Sequence, residues 1–287
     1  MTATFSLYFG VLLLSLIVLL MLLIRRCGLR TAGVFFFSAS LSGFVLSRAN
    51  AMLFGGFGRM SGGFFSLDPL HHSFFGFVLG ACLGLLVTGS LLHQSPQALS
   101  RQAAAPLLLF LALARFCEFF ADFGWGQITE GFLSVFPLSV KDMYGLPHLS
   151  VFLLEGLFAL ILCFSFRHRT RASSQPFIES LCLVSAAQIF FESLRTEPLM
   201  KGFVKVQQIE FLLLILALAL LLHICSLRFY IAFVLCIAVS AFCEYALDKL
   251  PSIPVPVLYG LMVASLIWMT YCFKRFLRIP LASGQMM

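Results

Sequence analysis

Apolar residues run along this chain in stretches of about twenty, divided by short polar connections. There is neither the alternation of a half-buried strand nor the one-sided stripe of a soluble helix. Nine stretches stand out, at roughly 5–24, 32–54, 73–92, 103–123, 149–166, 176–194, 209–227, 229–247 and 254–273. About twenty residues at 1.5 Å each match the ~30 Å of bilayer hydrocarbon, where a backbone must satisfy its own hydrogen bonds. Each stretch therefore predicts a transmembrane helix, and the expected fold is an all-α polytopic membrane protein of about nine spans. Residues 1–227 would form a seven-helix membrane domain, and 228–287 an extra helical hairpin with a tail. The first stretch reads as a retained span, because Arg25 and Arg26 follow it and no small-residue cleavage site appears.

Composition agrees. Hydrophobic residues make up 61% of 287 and charged residues 11%, with a mean hydropathy of +1.02, which excludes an ordinary soluble domain. The basic residues orient the chain. With the N-terminus outside and the C-terminus inside, eleven fall on the inner side: Arg25, Arg26, Arg30, Arg101, Arg167, Arg169, Arg171, Arg228, Lys274, Arg275 and Arg278. Six fall outside (Arg59, Lys141, Arg195, Lys201, Lys205 and Lys249), while Arg48 and Arg115 lie in spans. This is the positive-inside bias, so the net charge of +7 reports topology and an anionic inner leaflet, with no nucleic-acid partner.

The nine cysteines contain no CxxC pair and lie mostly in or beside apolar stretches, so they read as small buried hydrophobes. The histidines lack metal-ligand spacing, and neither a metal nor a cofactor is expected. Gly76, Gly80 and Gly84 recur every four residues, a stripe suited to close helix packing. No internal repeat appears.

The chemistry gathers elsewhere. Arg115, Glu118 and Asp122 share one helical face of an otherwise apolar stretch, where each ionised group costs roughly 2.5–3.5 kcal/mol by insertion scales. In the N-out topology Arg48, Arg115 and Arg195 come to a similar depth near the outer face, with His71, His72 and Glu192. Guanidinium groups suit phosphates, and phosphates at that depth belong to lipid headgroups. Snorkelling and structural ion pairs, Arg115 with Glu118 and Arg195 with Glu192, are the plainer explanation. Two long outer connections, 55–72 and 124–148, carry the Gly, Phe and Trp expected of interfacial segments.

The order of these motifs resembles that of the prolipoprotein diacylglyceryl transferase family of bacterial membrane enzymes. Residues 42–48, Ser-Gly-Phe-Val-Leu-Ser-Arg, look like its glycine-bearing second span ending in an arginine. His71 and His72, before Ser73-Phe74-Phe75-Gly76, look like its His-Gly-Gly segment. Ala114-Arg115-Phe116-Cys117-Glu118-Phe119, followed by Gly124-Trp125-Gly126, is similar to its signature, with Glu118 where the family has asparagine. Leu154-Glu155-Gly156, the segment Glu192-Ser193-Leu194-Arg195-Thr196-Glu197-Pro198, and Gln208 also have counterparts. Gln188 stands where the family carries a second arginine, and the last two spans have no counterpart.

The resemblance implies transfer of diacylglyceryl from phosphatidylglycerol to the lipobox cysteine thiol of a prolipoprotein, at the outer face of the bacterial plasma membrane. His71, or His72 in the alternative register, would be the base. Arg115 and Arg195 would hold the phosphate, supported by Arg48, with Glu192 orienting Arg195. Gly126 and Gln208 would complete the substrate site, and Glu118 would balance Arg115 or act as a base. A non-catalytic lipid- or lipoprotein-binding relative, a lipid transferase with another acceptor, and a transporter are the alternatives.

The charge bias makes a topological prediction. Reporter fusions at Gln97 and Ala172 should read cytoplasmic and those at Met60 and Met200 external. The reverse pattern would overturn the orientation.

Overall fold

The structure, a computed structural model, describes residues 2–54, 64–65, 72–120, 124–142, 144–167, 175–196, 200–201, 204–224, 226–250 and 253–277. Among them nine helices of 16 or more residues follow the nine apolar stretches: α1 (Thr2–Cys27), α2 (Leu29–Phe54), α3 (Phe74–Leu92), α4 (Pro96–Cys117), α5 (Val151–Arg167), α6 (Pro176–Leu194), α7 (Val206–Leu221), α8 (Leu227–Lys249) and α9 (Val255–Leu277). Seven are long and apolar enough to cross a membrane; the exceptions are α5, with 17 residues, and α7, with 16. At 1.5 Å per residue these two reach only about 24–26 Å, short of a ~30 Å hydrocarbon layer. Polar side chains such as Arg48, Glu155 and Glu192 are buried, while Met21, Phe37, Leu86, Ile161, Leu213 and Ile267 are exposed. That arrangement suits a solvent of lipid, and the protein has the build of a multi-pass helical membrane protein.

Two boundaries differ from the hydropathy reading. The seventh stretch was expected at 209–227, but α7 begins at Val206 and ends at Leu221. His223 takes a left-handed conformation, φ 51°, and the Ile224 amide bonds back to the Ala219 carbonyl at 2.9 Å, closing the helix with a Schellman-type turn. The 124–148 connection is also not plain loop. A hairpin of β1 (Ser139–Lys141) and β2 (Pro147–Leu149) pairs Val140 with His148. Its turn is tied by Asp142, whose Oδ1 accepts from the amides of Tyr144 and Leu146 at 2.8 and 2.9 Å. A second short hairpin joins β3 (Met200–Lys201) to β4 (Val204–Lys205). The all-α expectation thus holds for the apolar segments, while polar connections, free to pair edge to edge, add these strands.

Contacts divide the chain into two units, residues 1–168 with 194–207, and residues 169–193 with 208–287. In the first, α2 and α3 pack most closely. A methyl group on Gly76 or Gly80 would land on the backbone of Ser47 or Gly43, and one on Gly84 would come within 2.6 Å of the Ala39 Cβ. The approach lets Ser42 and Ser38 donate across to the Gly80 and Gly84 carbonyls at 2.9 and 3.3 Å. Helix α1 packs on α2 and α4, and α4 on α5. On α5, Gly156 leaves room for the Phe116 ring of α4.

In the second unit α8 packs on α9. There the Gln208 amide donates to Glu244 Oε1 at 2.7 Å, to Ser193 Oγ at 3.0 Å and to the Ile189 carbonyl at 3.1 Å, and Ser193 also donates to Glu244. Lys274 pairs with Glu179 at 2.5 Å.

The glycine stripe is testable. Gly80→Ala should destabilise by about 1–3 kcal/mol, because backbone cannot yield to the new methyl group. Gly10→Ala, with nothing within 4 Å of the added carbon, should be neutral or slightly stabilising. Thermal unfolding in one detergent compares the two; equal behaviour would refute the packing argument.

Candidate functional site

Helix α4 ends by tightening. Its last turn passes into a 3₁₀ turn, Glu118–Phe120, and the Glu118 amide bonds to the Arg115 and Phe116 carbonyls. In such a turn side chains three apart nearly eclipse, which sets Glu118 over Arg115. Arg115 Nη1 donates to Glu118 Oε1, the pair expected from the spacing.

The opposing side comes from two separate segments. Glu155, in the second turn of α5, accepts from Arg115 Nε at 2.6 Å. Arg195, just after α6, donates to the same carboxylate through Nε at 3.2 Å and Nη2 at 2.9 and 3.0 Å. Arg195 Nη2 lies 3.7 Å from Glu118 Oε2, which closes the circuit. Each arginine therefore faces both carboxylates, in a ring that is formally neutral. The side chains of Arg115, Glu118 and Glu155 are 4–6% exposed and that of Arg195 12%. Such charges persist only when mutually paired.

The 124–150 segment holds Arg195 in place. Gly126 forms an antiparallel bridge with Arg195, and the Thr196 amide donates to the Trp125 carbonyl at 3.1 Å. Gly126 in turn donates to the Leu149 carbonyl at 2.7 Å, and a Cβ there would meet Leu149 and Val151 at 2.8 Å. Gly126 thus serves as a backbone spacer. Trp125 packs edge-on against His148 and Phe152. The two nitrogens of His148 face the Gly126 carbonyl at 3.1 Å and Asp142 Oδ2 at 3.3 Å. Desolvation pushes the Asp142 pKa up, but the Leu146 and Tyr144 amides and His148 outweigh it, leaving the group below its usual value.

Two polar atoms of the ring are unfilled. Arg115 Nη2 and Glu118 Oε2 are buried and have no hydrogen-bond partner among the described residues. One face of the Arg115 guanidinium is covered by the Phe74 ring, 4.1 Å from Cζ, so a further acceptor must approach in the guanidinium plane. Beside Glu118 Oε2 the chain passes as Gly124, at φ 80°, where a Cβ would stand only 2.6 Å from that oxygen. A glycine meets both demands, a left-handed backbone and no side chain over the carboxylate.

No protein-family model matches the chain, and no curated protein matches it.

Of the residues expected at the site, Arg115, Glu118 and Arg195 are joined in this ring, with Gly126 bridging the last of them. His72 lies two residues before Phe74. Its Nδ1 is 2.8 Å from Ser47 Oγ and its ring packs near Phe44 and Phe77. Ser47 Oγ also lies 3.1 Å from the Phe44 carbonyl. Arg48, the next residue on α2, is fully buried. Glu192 and Gln208 are buried in the second unit, where Gln208 serves Glu244. His71 and Asp122, with most of the 55–72 connection, lie outside the described residues.

Glu155 and Glu244 were missed as polar-site residues. Each had the same signal as Glu118, an acid inside an apolar stretch, but neither has an arginine one turn away in sequence. Their partners come from distant segments.

The ring predicts strong coupling. Glu155→Gln and Arg115→Gln should each destabilise by about 3–5 kcal/mol, since each strands a buried charge. The double variant should cost less than their sum by about 0.5–3 kcal/mol. Additive losses in thermal or denaturant unfolding would disprove the closed ring.

Proposed function

We propose that this chain is a phospholipid-dependent diacylglyceryl transferase, set in a bacterial plasma membrane with nine spans, N-terminus out and C-terminus in, and acting at the outer face on the cysteine thiol of a prolipoprotein. The observation that carries this reading is the pair of arginines, Arg115 buried and Arg195 nearly so, with one guanidinium nitrogen of Arg115 unfilled. Intramembrane ion clusters mark functional cavities, and a guanidinium at headgroup depth suits a phosphodiester. The motif order that resembles the transferase family, with phosphatidylglycerol as its donor, adds the reaction type.

In that reaction the thiol gives its proton to a base, and the sulfur attacks the diacylglycerol carbon that bears the phosphate. The C–S bond forms as the C–O bond breaks, and the headgroup departs as a phosphate monoester. Arg115 and Arg195 stabilise charge on the leaving phosphate, while Glu155 holds both guanidinium groups. His71, or His72 in the alternative register, takes the thiol proton. Glu118 balances Arg115. Arg48 supports the pair, and Gly126 fixes the backbone that carries Arg195. No metal enters these steps.

A second reading is favoured by one feature. Both arginines already face carboxylates, so a headgroup would bind against competition, as in a lipid-binding protein that performs no transfer.

The test uses purified protein in vesicles containing phosphatidylglycerol and phosphatidylethanolamine, with a lipobox cysteine peptide. The expected products are a diacylglyceryl thioether on the cysteine and a released headgroup phosphate, both read by mass. Arg115→Gln should lower the rate about 100–1000-fold, as loss of one preorganised donor does. The paired change His71→Ala and His72→Ala should stop turnover and leave lipid binding intact. Lipid binding by wild type without thioether formation would replace this reading with the second.

A further inference from the structure

We propose that the lipid taken at this ring is a zwitterionic aminophospholipid, with its phosphate on Arg115 and its ammonium on Glu118. The proposal rests on the reading above, in that the ring binds a phospholipid headgroup, and it names the class of headgroup.

The argument begins with the two unfilled atoms. They are of opposite kinds, one cationic donor at Arg115 Nη2 and one anionic acceptor at Glu118 Oε2. They belong to residues three apart whose other ends already bond to each other. A headgroup carrying only a phosphate would fill the first atom and leave the second as a buried, unsatisfied carboxylate oxygen. A phosphoethanolamine group fills both, and its two charged hydrogen bonds are each about twice as strong as neutral ones.

Net charge points the same way. Two arginines and two glutamates sum to zero, and side chains 4–12% exposed place that sum in a poorly hydrated setting. A zwitterion adds no net charge to these four side chains. Gly124 keeps a side chain off Glu118 Oε2, and Phe74, stacked on one face of the Arg115 guanidinium, leaves its plane for the phosphate. A quaternary trimethylammonium has no N–H to give and is bulkier. The site therefore favours a primary amine.

The discriminating experiment is a binding series on the wild-type protein in detergent, by native mass spectrometry or calorimetry. The probes are dihexanoyl phosphatidylethanolamine, its N-methyl homologue, dihexanoyl phosphatidylcholine and dihexanoyl phosphatidylglycerol, with soluble phosphoethanolamine as competitor. We expect the ethanolamine lipid to bind at least about tenfold more tightly than the choline or glycerol lipid, with the N-methyl form between. Free phosphoethanolamine should compete only weakly. In Glu118→Gln the preference should collapse or reverse toward the glycerol lipid, and in Glu118→Asp it should persist. Equal or tighter binding of the glycerol lipid by wild type would overturn the proposal while leaving a headgroup site in place. Competition by free phosphoethanolamine at the affinity of the lipid would overturn its lipid origin. If no probe binds wild type, or Arg115→Gln binds all of them unchanged, the headgroup site itself is wrong, and the proposal with it. Should Glu118→Gln not fold, the wild-type series decides alone.

Discussion

Arg115, Glu118 and Glu155 are buried, and Arg195 nearly so, in a ring where each charge faces two of the opposite sign. Removing a charge from water into an apolar surround costs several kcal/mol even after relaxation, and a single partner rarely offsets it. In the ring each guanidinium meets two carboxylates and each carboxylate meets two guanidiniums. The arrangement ties the end of α4 to α5 and to the segment after α6. The Gly126–Arg195 bridge, Gly124 and the Trp125 contacts then shape the backbone around those four side chains.

The same requirement explains why the chain carries strands at all. Helices satisfy their own backbone, but a connection that delivers Arg195 to Glu155 must bond its amides to something. It does so through Gly126, Leu149 and Trp125, while Asp142 closes the turn of the hairpin. Close helix approach elsewhere follows a different logic. The α2–α3 contact uses glycines and serine-to-carbonyl bonds, which suits helices that gain little from hydrophobic burial between them in lipid. In the second unit a polar contact again joins helices, with Gln208 and Ser193 on Glu244.

The proposed chemistry draws on the unevenness of the ring. Complete satisfaction of every atom would make a structural clamp. One unfilled guanidinium N–H and one unfilled carboxylate oxygen, with glycine beside the latter, make a site for a group that bears both charges. His72, its Nδ1 against Ser47, stands two residues before the aromatic ring beneath Arg115.

Sequence alone determined the class of this protein. Stretches of twenty apolar residues leave a chain in lipid no choice but helix, so nine helices could be placed, most within a few residues. The Arg115–Glu118 pair was legible for the same reason, since helical periodicity makes neighbours of residues three apart. The end of α7 was not legible, because a left-handed turn at His223 interrupts residues that hydropathy cannot distinguish from helix. Nor was the role of Glu155, whose partners are 40 residues away in either direction along the chain. Proximity of that kind is decided by which helices pack and where a connection is pinned. Periodicity records the face a residue lies on, and only the tertiary structure decides what stands opposite.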